Sequence, residues 1–228
     1  MSTVQIKNLY KTFGEGTLAV HALSGIDLDI DKAEFVCLSG PSGSGKTTLL
    51  NMIGGLDRPT SGEITVAGKR VDQMDKGELA EMRLRQIGFV FQAYNLIPVL
   101  TARENVEFVM QLQGVSPDDR KQRAMDILKE VELQGLEDRR PAEMSGGQQQ
   151  RVAVARAIVS EPELVLADEP TANLDSHTAE RLLNLIRHLN EVHGTTFVVS
   201  THDKLVMGYA RRLIKMHDGK IIDDVVQR

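Results

Sequence analysis

The chain has no tryptophan, and aromatic residues make up only 4% of its 228 positions. Any core it builds is therefore aliphatic. Cys37 is the only cysteine, which excludes an intrachain disulfide framework and a cysteine-built zinc site and fits a reducing compartment. Long hydrophobic runs are missing as well. No apolar stretch approaches the roughly 18 residues that span a bilayer, and Met1–Lys7 lacks the apolar run of a signal peptide. No direct membrane insertion is expected, so any membrane role would be that of a peripheral subunit. Nor is there a basic surplus: 27 Lys and Arg stand against 32 Asp and Glu, a net charge of −5. A nucleic-acid binder normally carries a basic face, so no nucleic-acid partner is expected. What remains, 41% hydrophobic and 26% charged, is the composition of an ordinary globular domain.

Periodicity divides the chain. The first ninety or so residues read as strands: Val4–Ile6, Gly25–Ile30 and Gly62–Val66 alternate with period two, and Phe35–Leu38 is a continuously apolar, fully buried strand. A helix is predicted behind it over Gly45–Leu56, and another short strand over Ile87–Phe91. From Thr101 to about Leu133 the spacing becomes helical, and a further helix is predicted over Gly146–Val159. Strands and helices then alternate through Leu164–Ala167, Ala179–Val192 and Thr196–Val199, with a last β unit over Arg211–Ile222. That order predicts an α/β core with a parallel sheet. The core is formed by about 1–94 and 161–228, interrupted by a helical subdomain at about 95–160.

Gly40-Pro41-Ser42-Gly43-Ser44-Gly45-Lys46-Thr47, followed by Thr48, fits a phosphate-binding loop without a gap. It lies between a buried strand and a helix, as that chemistry requires. The backbone must curl around an anion with its N–H groups inward, and the helix N-terminus adds its own unpaired donors. Lys46 is expected at the β- and γ-phosphates, with the Thr47 hydroxyl on Mg²⁺. The apolar run Leu164–Ala167 ends in Asp168-Glu169, placing two carboxylates at the edge of the sheet where α/β ligands sit. Asp168 would act on Mg²⁺ through its hydration shell and Glu169 would serve as general base.

Met144-Ser145-Gly146-Gly147-Gln148 opens a predicted helix and so presents a second set of anion-binding N–H groups. With the phosphate loop, it closely resembles the ATP-binding subunits of ATP-binding-cassette transporters, although Met144 stands where that family usually has leucine. The resemblance runs through nearly the whole chain. It implies that Gln92 senses Mg²⁺ and water, that Ala172–Asp175 crosses a dimer interface, that His202 contacts the γ-phosphate, and that Phe13 stacks on adenine, with Tyr10 its competitor. Phe91–Pro98, Leu100–Val106 and Ser145–Ala153 look most like the macrolide-exporter, lipoprotein-releasing and cell-division subgroup.

The fold this implies is a P-loop NTPase, with an N-terminal antiparallel β subdomain and the inserted helices. The function it implies is ATP hydrolysis in a homodimer that sandwiches two MgATP. In each site, Ser145 to Gln148 of one copy would close over the loop of the other. The partners are a second copy and an integral membrane permease, docked around Gln92–Pro98 with Leu96 and Ile97 exposed for it. The location is the cytoplasmic face of the inner membrane. The cargo class is lipoprotein, lipid-like, peptide or drug. The alternative is a regulatory ATPase that signals through a membrane partner without moving cargo. A chromosome-maintenance ATPase would need a long coiled coil or zinc modules between Gln92 and Ser145, and a GTPase would need a guanine-reading Asn-Lys-x-Asp. Neither is present.

Overall fold

The computed structural model describes residues 2–227, with Thr17 described by its backbone alone. Two sheets form among the described residues. In the smaller, β1 (Ser2–Phe13), β2 (Val20–Asp31), β4 (Ser61–Val66) and β5 (Lys69–Arg70) pair antiparallel in the order β2-β1-β4-β5. In the larger, the order is β10-β9-β3-β8-β7-β6. There β3 (Phe35–Ser39), β6 (Ile87–Val90), β7 (Leu164–Asp168), β8 (Thr196–Thr201) and β9 (Arg212–His217) run parallel. Only β10 (Lys220–Val226), at the edge, is antiparallel to its neighbour.

Side chains alternate across a strand, so each face of the parallel sheet feeds a different core. Phe35, Cys37, Val165, Ala167, Phe197 and Val199 pack with α5 (Gly146–Ile158) and α6 (Ser176–His193). Val36, Leu38, Leu164, Leu166 and Val198 point the other way, onto α1 (Lys46–Ile53) and the antiparallel sheet. Both faces are covered, which is why these strands read as unbroken apolar runs.

The helical region is not one continuous pattern. α3 (Ala102–Leu112) and α4 (Pro117–Glu130) are separate, because Gly114 ends one and Ser116 caps the other with Pro117 at its first turn. Both pack against α5. Within the first ninety residues, where Gly45–Leu56 is the one helix expected, a second helix forms: α2 (Lys76–Gln86). Only Leu79 and Met82 on it are buried, so it carries almost no apolar periodicity to read. α1 stops at Ile53, before Gly54-Gly55, and β6 stops at Val90, short of Phe91. The six-residue α7 (Lys204–Tyr209) was too short to be legible as a helix.

Candidate functional site

The parallel sheet brings four chain segments to one edge. β3, β8, β7 and β6 are consecutive neighbours, so their C-terminal ends deliver Gly40, His202, Asp168-Glu169 and Gln92 side by side. A cavity of about 700 Å³ opens there, lined by Ser42, Gly43, Gly45–Thr48, Gln92, Asp168, Glu169 and His202.

The loop after β3 wraps tightly. Gly45 holds φ at +99° as the residue before α1, and a Cβ there would lie 2.7 Å from the Ala22 carbonyl. Only glycine meets both demands. Lys46 is 7% exposed, and its Nζ donates to the carbonyls of Gly40 at 2.7 Å and Pro41 at 3.0 Å. The ammonium thus lies against the loop itself, without a carboxylate partner among the described residues. Thr47 Oγ1 donates to the Asp168 carboxylate at 3.0 and 3.1 Å. Behind the loop, burial and the Glu169 charge push the Cys37 thiol up to about 12, with Lys46 opposing.

At the end of β7 the two acids have different partners. Asp168 accepts from Thr47 and from the Ser200 hydroxyl on β8. Glu169 takes a left-handed backbone, φ +46°, and its amide donates to the Ser200 carbonyl at 3.1 Å. Its carboxylate is bonded to His202 Nδ1 at 2.8 Å and accepts from the Thr201 hydroxyl at 3.3 Å. A non-glycine residue at positive φ is uncommon and strained, and such strain gathers at working sites. The effect here is to aim one carboxylate at the hydroxyl of α1 and the other at the histidine.

Of the expected residues, Phe13 stands at the end of β1, 45% exposed, with Lys11 Nζ 4.6 Å from its ring centroid. It does not line the cavity; Val20, its cross-strand partner, does, together with His21 and Ala22. Tyr10 is occupied elsewhere, its hydroxyl lying over Gly25. Ser145–Gln148 likewise do not line the cavity of their own chain. They form the first turn of α5 with a capping box: Ser145 Oγ accepts from the Gln148 amide, and Gln148 Oε1 accepts from the Ser145 amide. Sequence reasoning missed Val20, His21, Ala22, Ser200 and Asp218. Val20, His21 and Ala22 on β2 and Asp218 in the β9–β10 turn reach the cavity only through tertiary packing, and Ser200 meets Asp168 only because β8 pairs with β7, so no local pattern marks them.

A second concavity, of about 370 Å³, lies between α1, α2, β6, α3 and α5. Leu56, Leu84, Phe89, Phe91 and Val109 give it an apolar lining, and Arg83 and Arg156 are its cations. Arg83 donates to the Gly55 carbonyl and Arg156 to those of Tyr94 and Asn95. Leu96 and Ile97 are not the exposed pair expected from the sequence. Both are half-buried, Leu96 packs on the main core, and the Ile97 amide donates to the Asn105 side chain.

The family model described as ABC transporter matches residues 23–172. An ATP-binding protein of an ABC transporter from Methanocaldococcus jannaschii is 46% identical over 222 residues, 96% of this chain and 94% of that one. The macrolide export ATP-binding/permease protein of Mannheimia succiniciproducens is also 46% identical, over 98% of this chain; this chain spans only 35% of its length. Among solved structures, the archaeal cassette as a dimer in a post-hydrolysis state, bound to ADP and Pi, superposes with a TM-score of 0.91 at 44% identity. The match covers 99% of both chains.

Proposed function

The chain belongs to the ABC transporter family, and from that premise we propose that it is an ATP-hydrolysing subunit that works as a homodimer on a membrane permease. One observation carries the proposal most directly: Lys46 and Thr47 on the phosphate loop, Asp168 and Glu169 at the end of β7 and His202 after β8 meet at one sheet edge, Thr47 bonded to Asp168 and Glu169 to His202.

In that set the loop amides from Ser42 to Thr48 and the start of α1 take the phosphates, and Lys46 exchanges its two carbonyl acceptors for phosphate oxygens. Phe13 and Val20 take the base. The Thr47 hydroxyl and the Asp168 carboxylate are hard oxygen groups already in contact and fit Mg²⁺, which Thr47 would hold directly and Asp168 through water. When bound, Mg²⁺ would neutralise charge on the β- and γ-phosphates. Glu169 orients and deprotonates the attacking water. His202 holds the Glu169 carboxylate in place and stands ready for the γ-phosphate, while Gln92 reaches in from the end of β6.

A single chain leaves Ser145–Gln148 away from its own cavity, which supports their closing over ATP held by a second copy. An N-cap hydroxyl that accepts from its helix still keeps a proton to donate to an anion. The permease docks at the apolar groove beneath Phe89 and Phe91, whose two arginines favour an acidic or helix-C-terminal contact. Among the described residues no helix is long and apolar enough to cross a membrane; as an ABC ATP-binding subunit the chain would reach the membrane through its permease, on the cytoplasmic face. The relative from Mannheimia succiniciproducens is named for macrolide export, and for this chain we infer a lipoprotein, lipid-like, peptide or drug cargo. A regulatory role without cargo has no feature of the molecule in its favour.

The test is Glu169→Gln. Loss of the general base lowers hydrolysis by roughly 10²–10⁴-fold, while the loop and Lys46 still bind ATP. The variant is expected to run as a dimer with ATP and a monomer without it in size-exclusion chromatography. Adding Ser145→Arg restores the monomer, and a double variant that still dimerises would remove Ser145–Gln148 from the site.

A further inference from the structure

Two consecutive residues after Gln92 share an unusual backbone. Tyr94 and Asn95 both hold left-handed conformations, at φ +60° and +50°. Asparagine tolerates that region, but a bulky side chain does so only where the surroundings impose it. The surroundings here are Arg156, three turns along α5 from Ser145. Its Nη1 donates to the Asn95 carbonyl at 2.5 Å and its Nη2 to the Tyr94 carbonyl at 2.9 Å. No carboxylate among the described residues pairs with it, and burial lowers its pKa. A half-buried guanidinium whose two bonds go to main-chain carbonyls, with no carboxylate beside it among the described residues, is held in place by those two residues.

The same turn touches the other end of α5. The Tyr94 hydroxyl lies 2.8 Å from where a Cβ on Gly146 would stand, so a side chain at Gly146 would displace the tyrosine. Gly146 and Arg156 are separated by ten residues, ~15 Å along a rigid helix at 1.5 Å per residue. A third tie comes from Asn173, whose side-chain amide donates to the Gln92 carbonyl at 3.0 Å.

We propose that Tyr94 and Arg156 are positioning residues that clamp the Gln92 loop to both ends of α5, so that displacement of Gln92 moves Ser145–Gln148 as one body. Gln92 lines the cavity of its own chain, while the start of α5 serves the second copy. The clamp therefore sets the strength of the ATP-dependent dimer without touching ATP. Asn95 and Arg156 also line the apolar groove, which makes the same pair the place where an occupant of that groove is felt by the dimer interface.

The proposal rests on the ATP-sandwich reading above, and the experiment separates the two. In the Glu169→Gln background, the dimer dissociation constant with MgATP is measured by sedimentation, and the monomer's affinity is measured with a fluorescent ATP analogue. Arg156→Gln is expected to weaken the dimer by about tenfold and Tyr94→Phe by about threefold. Nucleotide affinity should stay within about twofold, because coupling between sites can change without either site's own contacts. Arg156→Lys recovers part of the loss, since an ammonium satisfies one carbonyl where the guanidinium fork spans two. Tyr94→Phe loses one hydroxyl and keeps the ring, so it carries the test if Arg156→Gln does not fold. An unchanged dimer constant in Tyr94→Phe and Arg156→Gln overturns the clamp, as does a parallel fall in ATP affinity. If Glu169→Gln alone stays monomeric with ATP, the sandwich reading fails instead.

Discussion

Cys37 lies three residues ahead of Gly40, buried between β8 and β9, with a thiol pushed up to about 12 from 9.0 by burial first and then by Glu169. Native thiol is therefore neutral at every working pH, and the protein should not react with thiol reagents at pH 8 until it is unfolded. The stability this neutral thiol confers is fully present below 9.0 and is lost as pH climbs toward 12. Unfolded chains lose a proton that native chains keep, which costs up to about 1.4 kcal/mol per pH unit. Urea unfolding at pH 8, 9 and 10 should show that alkaline decline in the native sequence and a shallower one in Cys37→Ala. Equal slopes would mean that the thiol titrates normally. The burial of Cys37 was legible from its apolar strand. The influence of Glu169 and Lys46 was not, since they stand far from it in sequence or across the sheet.

The helices differ in how they announce themselves. α5 was readable because its Ser145-x-x-Gln148 start precedes an apolar run, and both halves of the capping box form. α2 has the same kind of start: the Asp75 side chain accepts from the Glu78 amide and the Glu78 side chain from the Asp75 amide, each at 2.8 Å. That pair was the available signal, but the polar run after it, Lys76-Gly77-Glu78-Leu79-Ala80-Glu81, lacks an apolar face. Its stability comes from caps more than from burial. Asp75→Ala should cost about 1 kcal/mol, lowering Tm by roughly 2–4 °C, with ATP hydrolysis by the isolated subunit unchanged. A calorimetric scan showing no shift would mean that packing of Leu79 and Met82 alone holds α2.

At the scale of the molecule, the groove shares no lining residue with the cavity, and it offers an apolar surface to a second protein. Leu56, 48% exposed on its rim, is the position where a charge reaches the partner without entering the core. Leu56→Glu should leave stability within about 0.5 kcal/mol and leave ATP-driven dimerisation intact, yet weaken capture of the permease from mild detergent by about tenfold or more. Leu96→Glu, by contrast, places a charge against the main core and should unfold its surroundings, visible by circular dichroism. If Leu56→Glu binds the permease normally, the groove is not the docking site.

Local order decided a good deal before any tertiary contact. The phosphate loop, the Asp168-Glu169 pair and the Ser145–Gln148 turn each occupy a few adjacent residues, with requirements set by backbone geometry and charge. The alternation of apolar strands and amphipathic helices likewise decided the α/β class. Tertiary structure alone decided what is shared between distant segments. Ser200 at Asp168, Val20 and His21 at the cavity, Arg156 on the Tyr94–Asn95 turn and the half-burial of Leu96 all join residues separated by thirty positions or more, or depend on such joins. Hydrophobic periodicity says which side of an element is buried, but the order of strands in the sheet says what that side is buried against, and no single segment carries that information.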